Sequence, residues 1–146
     1  MSNIDKRVKD KLPAPTHCHL CRSKVNLVEN KAIYGRNYGD WPYSYLCESK
    51  QCGAYVGCHP DTYIPLGTLA DKTTREARKK AKDAFNKIWL TDGFMSRKKS
   101  YKKLAELMGI PSKECHFGWF DYDMCEKAYG ICNQQLDKFK QDFTND

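Results

Sequence analysis

Two short segments organise this sequence: Cys18-His19-Leu20-Cys21 and, after 25 intervening residues, Cys47-Glu48-Ser49-Lys50-Gln51-Cys52. Each segment can turn its backbone back, so that both of its sulfurs face one point. Two such pairs place four thiolates around one ion, and ligand pairs spaced in this way are typical of structural zinc sites. Because four thiolates leave no open position for water or substrate, the pattern predicts one structural Zn²⁺. Its ligands would be Cys18, Cys21, Cys47 and Cys52.

The chain contains eight cysteines. Two alternatives to a zinc site are therefore open for the paired ones, namely unligated thiols in the core and disulfides. The sequence shows no secretory leader and no apolar run of the roughly 18–20 residues that a membrane span needs, so we expect a cytoplasmic protein with reduced thiols. In that setting the lone cysteines are expected to be buried and free; they are Cys58, Cys115, Cys125 and Cys132. A second metal site built from Cys58, His59, Cys115, His116 or Cys125 has little support from the spacing.

The part of the chain that contains the paired cysteines has the alternation of β-strands. We expect strands at 31–35, 44–47 and 54–59, the second of which delivers Cys47. In the third strand Ala54, Val56 and Cys58 share one face. Strands that carry paired cysteines at their turns indicate a zinc ribbon.

Beyond residue 65 the apolar residues recur at the three-and-four spacing of helices. Thr73-x-x-Glu76 resembles a capping box and would open the first helix, which Gly93 would end. Ser96 is placed to cap a second helix, and Gly109 to end it.

A third helix is expected to begin at Asp121 or Asp123 and to run past Leu136 to Phe143. The aromatic segment 115–120 before it is interpreted as a buried strand or turn. The predicted fold class is therefore α+β, with an N-terminal four-cysteine zinc ribbon packed on a C-terminal part of about three helices. The expected divisions are 1–16 as an arm and linker, 17–66 as the zinc-ribbon module and 67–146 as the basic helical part, which forms one compact unit with the ribbon.

Positive charge is concentrated in the first two predicted helices. From Lys72 to Lys103 there are twelve Lys or Arg and three acidic residues, a net charge of +9, whereas the whole chain carries +7. A patch of this density attracts polyanions, because each phosphate contact releases a condensed counterion. The alternatives are lysines that only solubilise outer helix faces, or a docking face for an acidic protein surface. We predict a surface that binds DNA or RNA, formed by Arg75, Arg78, Lys79, Lys82, Arg97, Lys98 and Lys102.

Aromatic residues accompany the cysteines in the ribbon segment; they are Tyr34, Tyr38, Trp41, Tyr43, Tyr45 and Tyr55. Exposed rings can stack on unpaired bases, and such stacking tolerates any base sequence. Most of these rings are instead expected to form the small core of the ribbon. Tyr38 and Trp41 flank Gly39 in a loop and are predicted to be exposed stacking groups.

Motifs of the common enzyme classes are absent from the sequence, including phosphate loops, nucleophile elbows, zinc-protease helices and dinucleotide fingerprints. A metal-independent nuclease could be built from histidine acid–base groups and arginine phosphate clamps: His59, Arg75, Arg78, His116 and Asp121. Both histidines are equally explained as structural residues in a packed core. We therefore name no catalytic residue, do not expect catalysis, and keep His59 and His116 as possible functional residues.

Several of these residues also match a known family in their order along the chain: Cys52-Gly53-Ala54-Tyr55-Val56-Gly57-Cys58-His59-Pro60, Arg75-x-x-Arg78, Phe85-x-x-Ile88-Trp89 and Cys115-His116-Phe117-Gly118. The set resembles the zinc-finger-containing family of bacteriophages and prophages over about residues 18 to 132. The resemblance implies zinc at the N-terminal cysteines, a phage-derived protein and thus a place in the host cytoplasm, but no particular activity. The chain departs from the family in its wider second cysteine pair, and in Lys82 and Asn86, where the family often has His and Asp.

A small, basic, zinc-stabilised protein of this kind has two natural uses. The predicted function is binding of viral or host nucleic acid through the two basic helices. The alternative is inhibition of a host protein, such as a polymerase or a defence enzyme, by direct binding. The salt dependence of the binding affinity distinguishes the two functions, because phosphate binding weakens steeply with salt whereas an interface with an apolar centre does not.

Overall fold

The computed structural model describes residues 8–36, 39–92 and 96–134. The chain divides into two compact units, and the division falls between Lys72 and Thr73. Three strands and four α-helices lie within the described ranges, so the α+β prediction is confirmed. No helix in these ranges is both long enough and apolar enough to cross a lipid bilayer.

The first unit is built on a three-stranded antiparallel sheet in the order β1-β2-β3. The strands are β1 (Val25–Glu29), β2 (Tyr43–Cys47) and β3 (Tyr55–Gly57). Val25 pairs with Cys47 at one end of the sheet, and Glu29 pairs with Tyr43 at the other. The side chains of one sheet face form the core of this unit with the turns that flank them: Cys18, Val25, Tyr45, Cys47, Ala54, Val56, Cys58 and Leu69 are all buried.

The strand predicted at 31–35 is wrong, because helix α1 (Lys31–Tyr34) occupies that segment. The N–H groups of Ile33 and Tyr34 both donate to the carbonyl of Asn30, which closes the helical turn. Gly35 then adopts a left-handed φ of 81° and ends the helix. The strand lies just before it, at β1, where the exposed Leu27 breaks the expected pattern of apolar residues inside.

The second unit contains the long helices α2 (Lys72–Asp92), α3 (Arg97–Met108) and α4 (Tyr122–Gln134). Two 3₁₀ turns, Ser112–Glu114 and Phe117–Trp119, connect α3 to α4. The predicted turn at 115–120 is confirmed, since Cys115, Phe117 and Phe120 are buried there. The ring of Phe85 from α2 lies 4.4 Å from that of Tyr101 and 5.4 Å from that of Phe117, so aromatic packing joins these elements.

The caps show which helix boundaries the sequence encodes locally. The Ser96 hydroxyl accepts from the Lys99 N–H at 3.1 Å, so the predicted cap is confirmed. Asp121 accepts from the Met124 N–H at 2.8 Å, so of the two predicted starts of the third helix, Asp121 and Asp123, the structure has the first. The cap predicted at Thr73 is wrong, because α2 begins one residue earlier, at Lys72. The predicted stop at Gly93 and the predicted continuation past Leu136 lie outside the described residues.

Candidate metal centre

Four cysteine sulfurs converge at the end of the sheet where Val25 pairs with Cys47. Cys18 and Cys21 lie in the turn before β1, Cys47 is the last residue of β2, and Cys52 precedes β3. All four sulfurs lie within 4.8 Å of one another, with 3.8 Å between Cys18 and Cys52 and 3.3 Å between Cys21 and Cys47. A tetrahedral zinc with Zn–S bonds of about 2.3 Å has sulfur–sulfur edges of about 3.8 Å. The donor set therefore fits Zn²⁺ in both chemistry and spacing.

The two cysteine turns share one backbone feature. In the first turn, the Cys18 N–H donates to the Ser23 carbonyl at 2.8 Å, and the Arg22 N–H donates to the Cys18 carbonyl at 2.7 Å. The residue directly after the second cysteine is left-handed in both turns, with φ of 67° at Arg22 and 62° at Gly53. This reversal aims the sulfurs of each pair at the same point, although the second turn contains two more residues between its cysteines.

Hydrogen bonds to the sulfurs favour the thiolate form that a metal needs. The side chain and backbone of Ser23 lower the pKa of the Cys21 thiol to about 6. Burial raises the pKa of Cys47, and it raises that of Cys52 to about 12, against the lowering effect of the Ser49 and Ala54 backbones. A bound divalent cation reverses the effect of burial, because coordination deprotonates a thiol.

Sequence reasoning missed Ser23, Ser49 and Arg22, although a signal for the serines is present. Each backbone group that bonds a ligand sulfur belongs to the residue two positions after that cysteine, namely Ser23 after Cys21, Ser49 after Cys47 and Ala54 after Cys52. The pattern Cys-x-Ser occurs at the first two of these positions. The left-handed backbone of Arg22 has no such signal, because glycine is the residue usually expected there.

A three-stranded antiparallel sheet with four cysteines gathered at its turns defines a zinc-ribbon protein with a closed structural site. Residues 14–135 match a zinc-finger-containing domain, DUF3268, and the chain belongs to that family. No match is found among curated proteins or among solved structures. The predictions of a zinc-finger-containing family and of one structural zinc are thus confirmed, and the bacteriophage or prophage origin stays a prediction.

The predicted basic residues of α2 differ in their burial and in the contacts that they make with the rest of the second unit. Lys79 and Lys82 are exposed, whereas Arg75 and Arg78 are half-buried. Arg78 donates its Nε–H to the Phe120 carbonyl at 2.9 Å and so ties α2 to the turn before α4. Arg75, Lys79 and Lys82 are three and four residues apart and share one face of the helix.

The predicted basic residues of α3 are all exposed; they are Arg97, Lys98 and Lys102. The guanidinium of Arg97 lies 4.9 Å from the ring centre of Tyr101, which holds it near the start of the helix. Lys98 and Lys102 are one turn apart and lie beside each other on the helix surface. Both helices therefore present lysines to solvent.

The two predicted stacking groups have different outcomes. Tyr38 lies outside the described residues. Trp41 is half-buried rather than exposed, because its Nε1–H donates to the Thr62 carbonyl at 2.6 Å and its ring packs 4.9 Å from that of Tyr43. The indole is thus held in place at the edge of the first unit.

The two histidines are half-buried and make contacts within turns. His59 lies in the turn after β3, where its N–H donates to the Ile64 carbonyl and its carbonyl accepts from the Thr62 hydroxyl, each at 2.9 Å. The ring of His116 packs 4.6 Å from that of Trp119. These contacts give both residues a structural role, while a functional role stays a prediction.

Proposed function

We propose that this zinc-stabilised protein binds DNA or RNA through the exposed basic residues of α2 and α3. The observation that carries the proposal is a concentration of exposed lysines on two consecutive helices: Lys72, Lys79, Lys80, Lys82, Lys87, Lys98, Lys99 and Lys102. A phosphate backbone recognises such a surface without regard to base sequence.

The exposed lysines of this surface are not tied up in close ion pairs, which supports the proposal. Within the described part of the chain, Lys79, Lys82, Lys98 and Lys102 form no ion pair. The ion pair found on these helices joins Lys103 to Glu106 at 3.6 Å, and that lysine side chain is largely buried. Exposed charges that have no ion-pair partner among the described residues can pair with a polyanion, which makes phosphate contacts favourable.

The residues that carry the proposal can be separated from those that hold the fold. Arg78 bonds the Phe120 carbonyl, so its replacement would also disturb packing. Lys79, Lys82 and Lys102 are exposed, and their reversal leaves the core of the second unit unchanged. A matched control reverses three exposed lysines outside both helices, Lys9, Lys50 and Lys113.

The test compares Lys79→Glu/Lys82→Glu/Lys102→Glu with Lys9→Glu/Lys50→Glu/Lys113→Glu, which has the same net charge. Both zinc-loaded variants are titrated against labelled single- and double-stranded DNA and RNA. We expect the helix variant to lose at least about tenfold in affinity, because three phosphate contacts are lost, and the control to lose much less. Equal affinities in the two variants would contradict the assignment of the surface. Absence of nucleic-acid binding by the unmodified protein at low salt would favour the alternative, an acidic host protein as partner.

A further inference from the structure

A groove in the first unit lies at the opposite end of the sheet from the cysteine sulfurs. It encloses about 500 Å³, and its lining includes Tyr34, Trp41, Tyr43, Ser44, Gly57 and Leu66. Tyr43 and Cys47 are four residues apart on β2, a distance of about 13 Å along a strand. The groove, called here the aromatic groove, therefore has no part in holding the metal.

Two of the lining residues belong to a fixed set of rings. Trp41 packs on Tyr43 at 4.9 Å and on Tyr63 at 5.7 Å between ring centres, and Tyr43 packs on Tyr63 at 5.5 Å. The hydrogen bond from Trp41 Nε1 to the Thr62 carbonyl fixes the indole further. Because successive residues of a strand point to opposite faces of the sheet, the Tyr43 ring does not lie over the Ser44 hydroxyl.

The face of the sheet that carries Ser44 is the open part of the aromatic groove. Tyr34 is 46% exposed, and its ring stands nearly perpendicular to that of Tyr55, with 5.7 Å between centres. Leu66 is 47% exposed. A flat ligand can therefore reach the Tyr34 ring and the Leu66 side chain from solvent.

The floor of the aromatic groove carries a buried hydroxyl. Ser44 is only 3% exposed, and its Oγ donates to Asn30 Oδ1 at 2.7 Å. Because the hydroxyl proton is used in that bond, the Oγ offers acceptor lone pairs to a ligand. A Cβ at Gly57 would lie 3.3 Å from Leu66 Cδ1 and 4.0 Å from Ser44 Oγ, so a side chain there would crowd Leu66.

We propose that the aromatic groove binds an unpaired nucleobase, an inference that rests on the nucleic-acid binding proposed above. A nucleobase is flat and can stack its π face on the exposed Tyr34 ring, and such stacking accounts for much of single-strand binding. The acceptor at Ser44 suits the exocyclic amino group of cytosine or adenine, which uracil and thymine lack. The protein thus prefers single strands, and within them it prefers bases that carry an amino group.

The first test examines the groove itself with mononucleotides, which need no extended phosphate surface. Zinc-loaded full-length protein is titrated with CMP, AMP and UMP while its amide and indole resonances are followed by NMR. We expect shifts at the Ser44 and Gly57 amides and at the Trp41 indole, larger with CMP and AMP than with UMP. No shifts there at millimolar nucleotide would overturn the proposal. Shifts produced by N-acetyltryptophanamide but not by nucleotides would also overturn it, in favour of an aromatic side chain of a partner protein.

The second test compares an intact single-stranded oligonucleotide with an abasic one of equal length and charge. We expect the unmodified protein to bind the intact strand at least about fivefold more tightly, the gain from one stacked base. Tyr34→Ala should remove most of that preference, and Tyr122→Ala, a tyrosine of similar exposure on α4, should retain it.

The outcomes separate this proposal from the function on which it rests. Equal binding of intact and abasic strands would overturn the aromatic groove as a base site and leave phosphate binding by the helices in place. Nucleotide shifts in the groove of a protein whose helix charge-reversal variant binds strands normally would support the groove and reject the helical surface.

Discussion

Two backbone positions of the cysteine turns illustrate how single residues shape the metal site. Arg22 and Gly53 occupy equivalent places after Cys21 and Cys52, and both are left-handed. A side chain in that conformation costs about 1–2 kcal/mol relative to the right-handed regions, and glycine avoids the cost. The first turn therefore carries conformational strain that the second one does not.

Gly53→Ala should destabilise the zinc-loaded protein by about 1 kcal/mol, the left-handed cost less the loss of freedom in the unfolded chain. A new Cβ would lie no closer than 3.8 Å to the Lys50 carbonyl, so a clash does not contribute. Arg22→Gly should stabilise the zinc-loaded protein by up to a similar amount, because glycine adopts the left-handed conformation without that cost. Denaturant unfolding of both variants measures the difference, and a Gly53→Ala protein as stable as the original would contradict the account.

The buried cysteines of the second unit should be inert thiols at neutral pH. Burial raises the pKa of Cys115 and Cys125 to about 11 and that of Cys132 to about 12. Alkylation followed by mass spectrometry should leave all three unmodified in the folded protein and modify them in denaturant. Rapid labelling of any of them under native conditions would contradict their burial.

The same shifts predict a loss of stability at high pH. In the unfolded chain these thiols ionise near the usual value of 9.0, whereas the folded protein keeps them protonated to about pH 11. The unfolded state then binds fewer protons, so the free energy of unfolding falls between about pH 9 and pH 11. Cys125→Ala removes one of these thiols and should make the free energy of unfolding fall less over this pH range. Denaturant unfolding of both proteins between about pH 9 and pH 11 measures the difference.

Helices that begin at a capping side chain close by in the sequence are the elements that can be predicted well. Ser96 and Asp121 accept hydrogen bonds from N–H groups three residues further on, and this spacing can be read from the sequence. β1 and α1 could not be assigned in this way, since Leu27 is exposed and the short helix before Gly35 is closed by backbone hydrogen bonds to the Asn30 and Lys31 carbonyls. Alternation of apolar residues identifies a strand only when its apolar residues point inward.

Ser96→Ala should destabilise the protein by about 1 kcal/mol, because the Lys99 N–H loses its acceptor at the start of α3. Ser96→Asp supplies an equivalent acceptor and should restore most of the loss. Urea unfolding followed by circular dichroism compares the two. An aspartate variant as unstable as the alanine variant would show that the hydroxyl has another role.

The whole molecule combines a metal-dependent unit with one that has its own apolar core. The spacing of the cysteines was enough to predict the metal site, because each pair lies within one short turn. The aromatic groove could not be predicted, because the strand register brings Tyr34, Ser44 and Gly57 together from separate segments. None of the four zinc ligands belongs to the core of the second unit.

Zinc removal should therefore affect the two units differently. A chelator, or Cys21→Ser, should release one equivalent of zinc and unfold the first unit, whose core includes Cys18 and Cys47. Most of the helical circular dichroism should persist, and amide resonances of α3 and α4 should keep their dispersion. A Cys21→Ser protein that retains one equivalent of zinc would contradict the ligand set.

The central claim is that the basic helices bind phosphates, and its most direct test is the salt dependence of binding by the zinc-loaded protein. If three or more phosphates are contacted on a single strand, log K should fall linearly with log salt concentration, with a slope of about −2 or steeper. Such a slope, reduced in magnitude when Lys79, Lys82 and Lys102 are reversed, is the predicted result. An affinity that does not change with salt, or a slope that the three reversals leave unchanged, would contradict the claim.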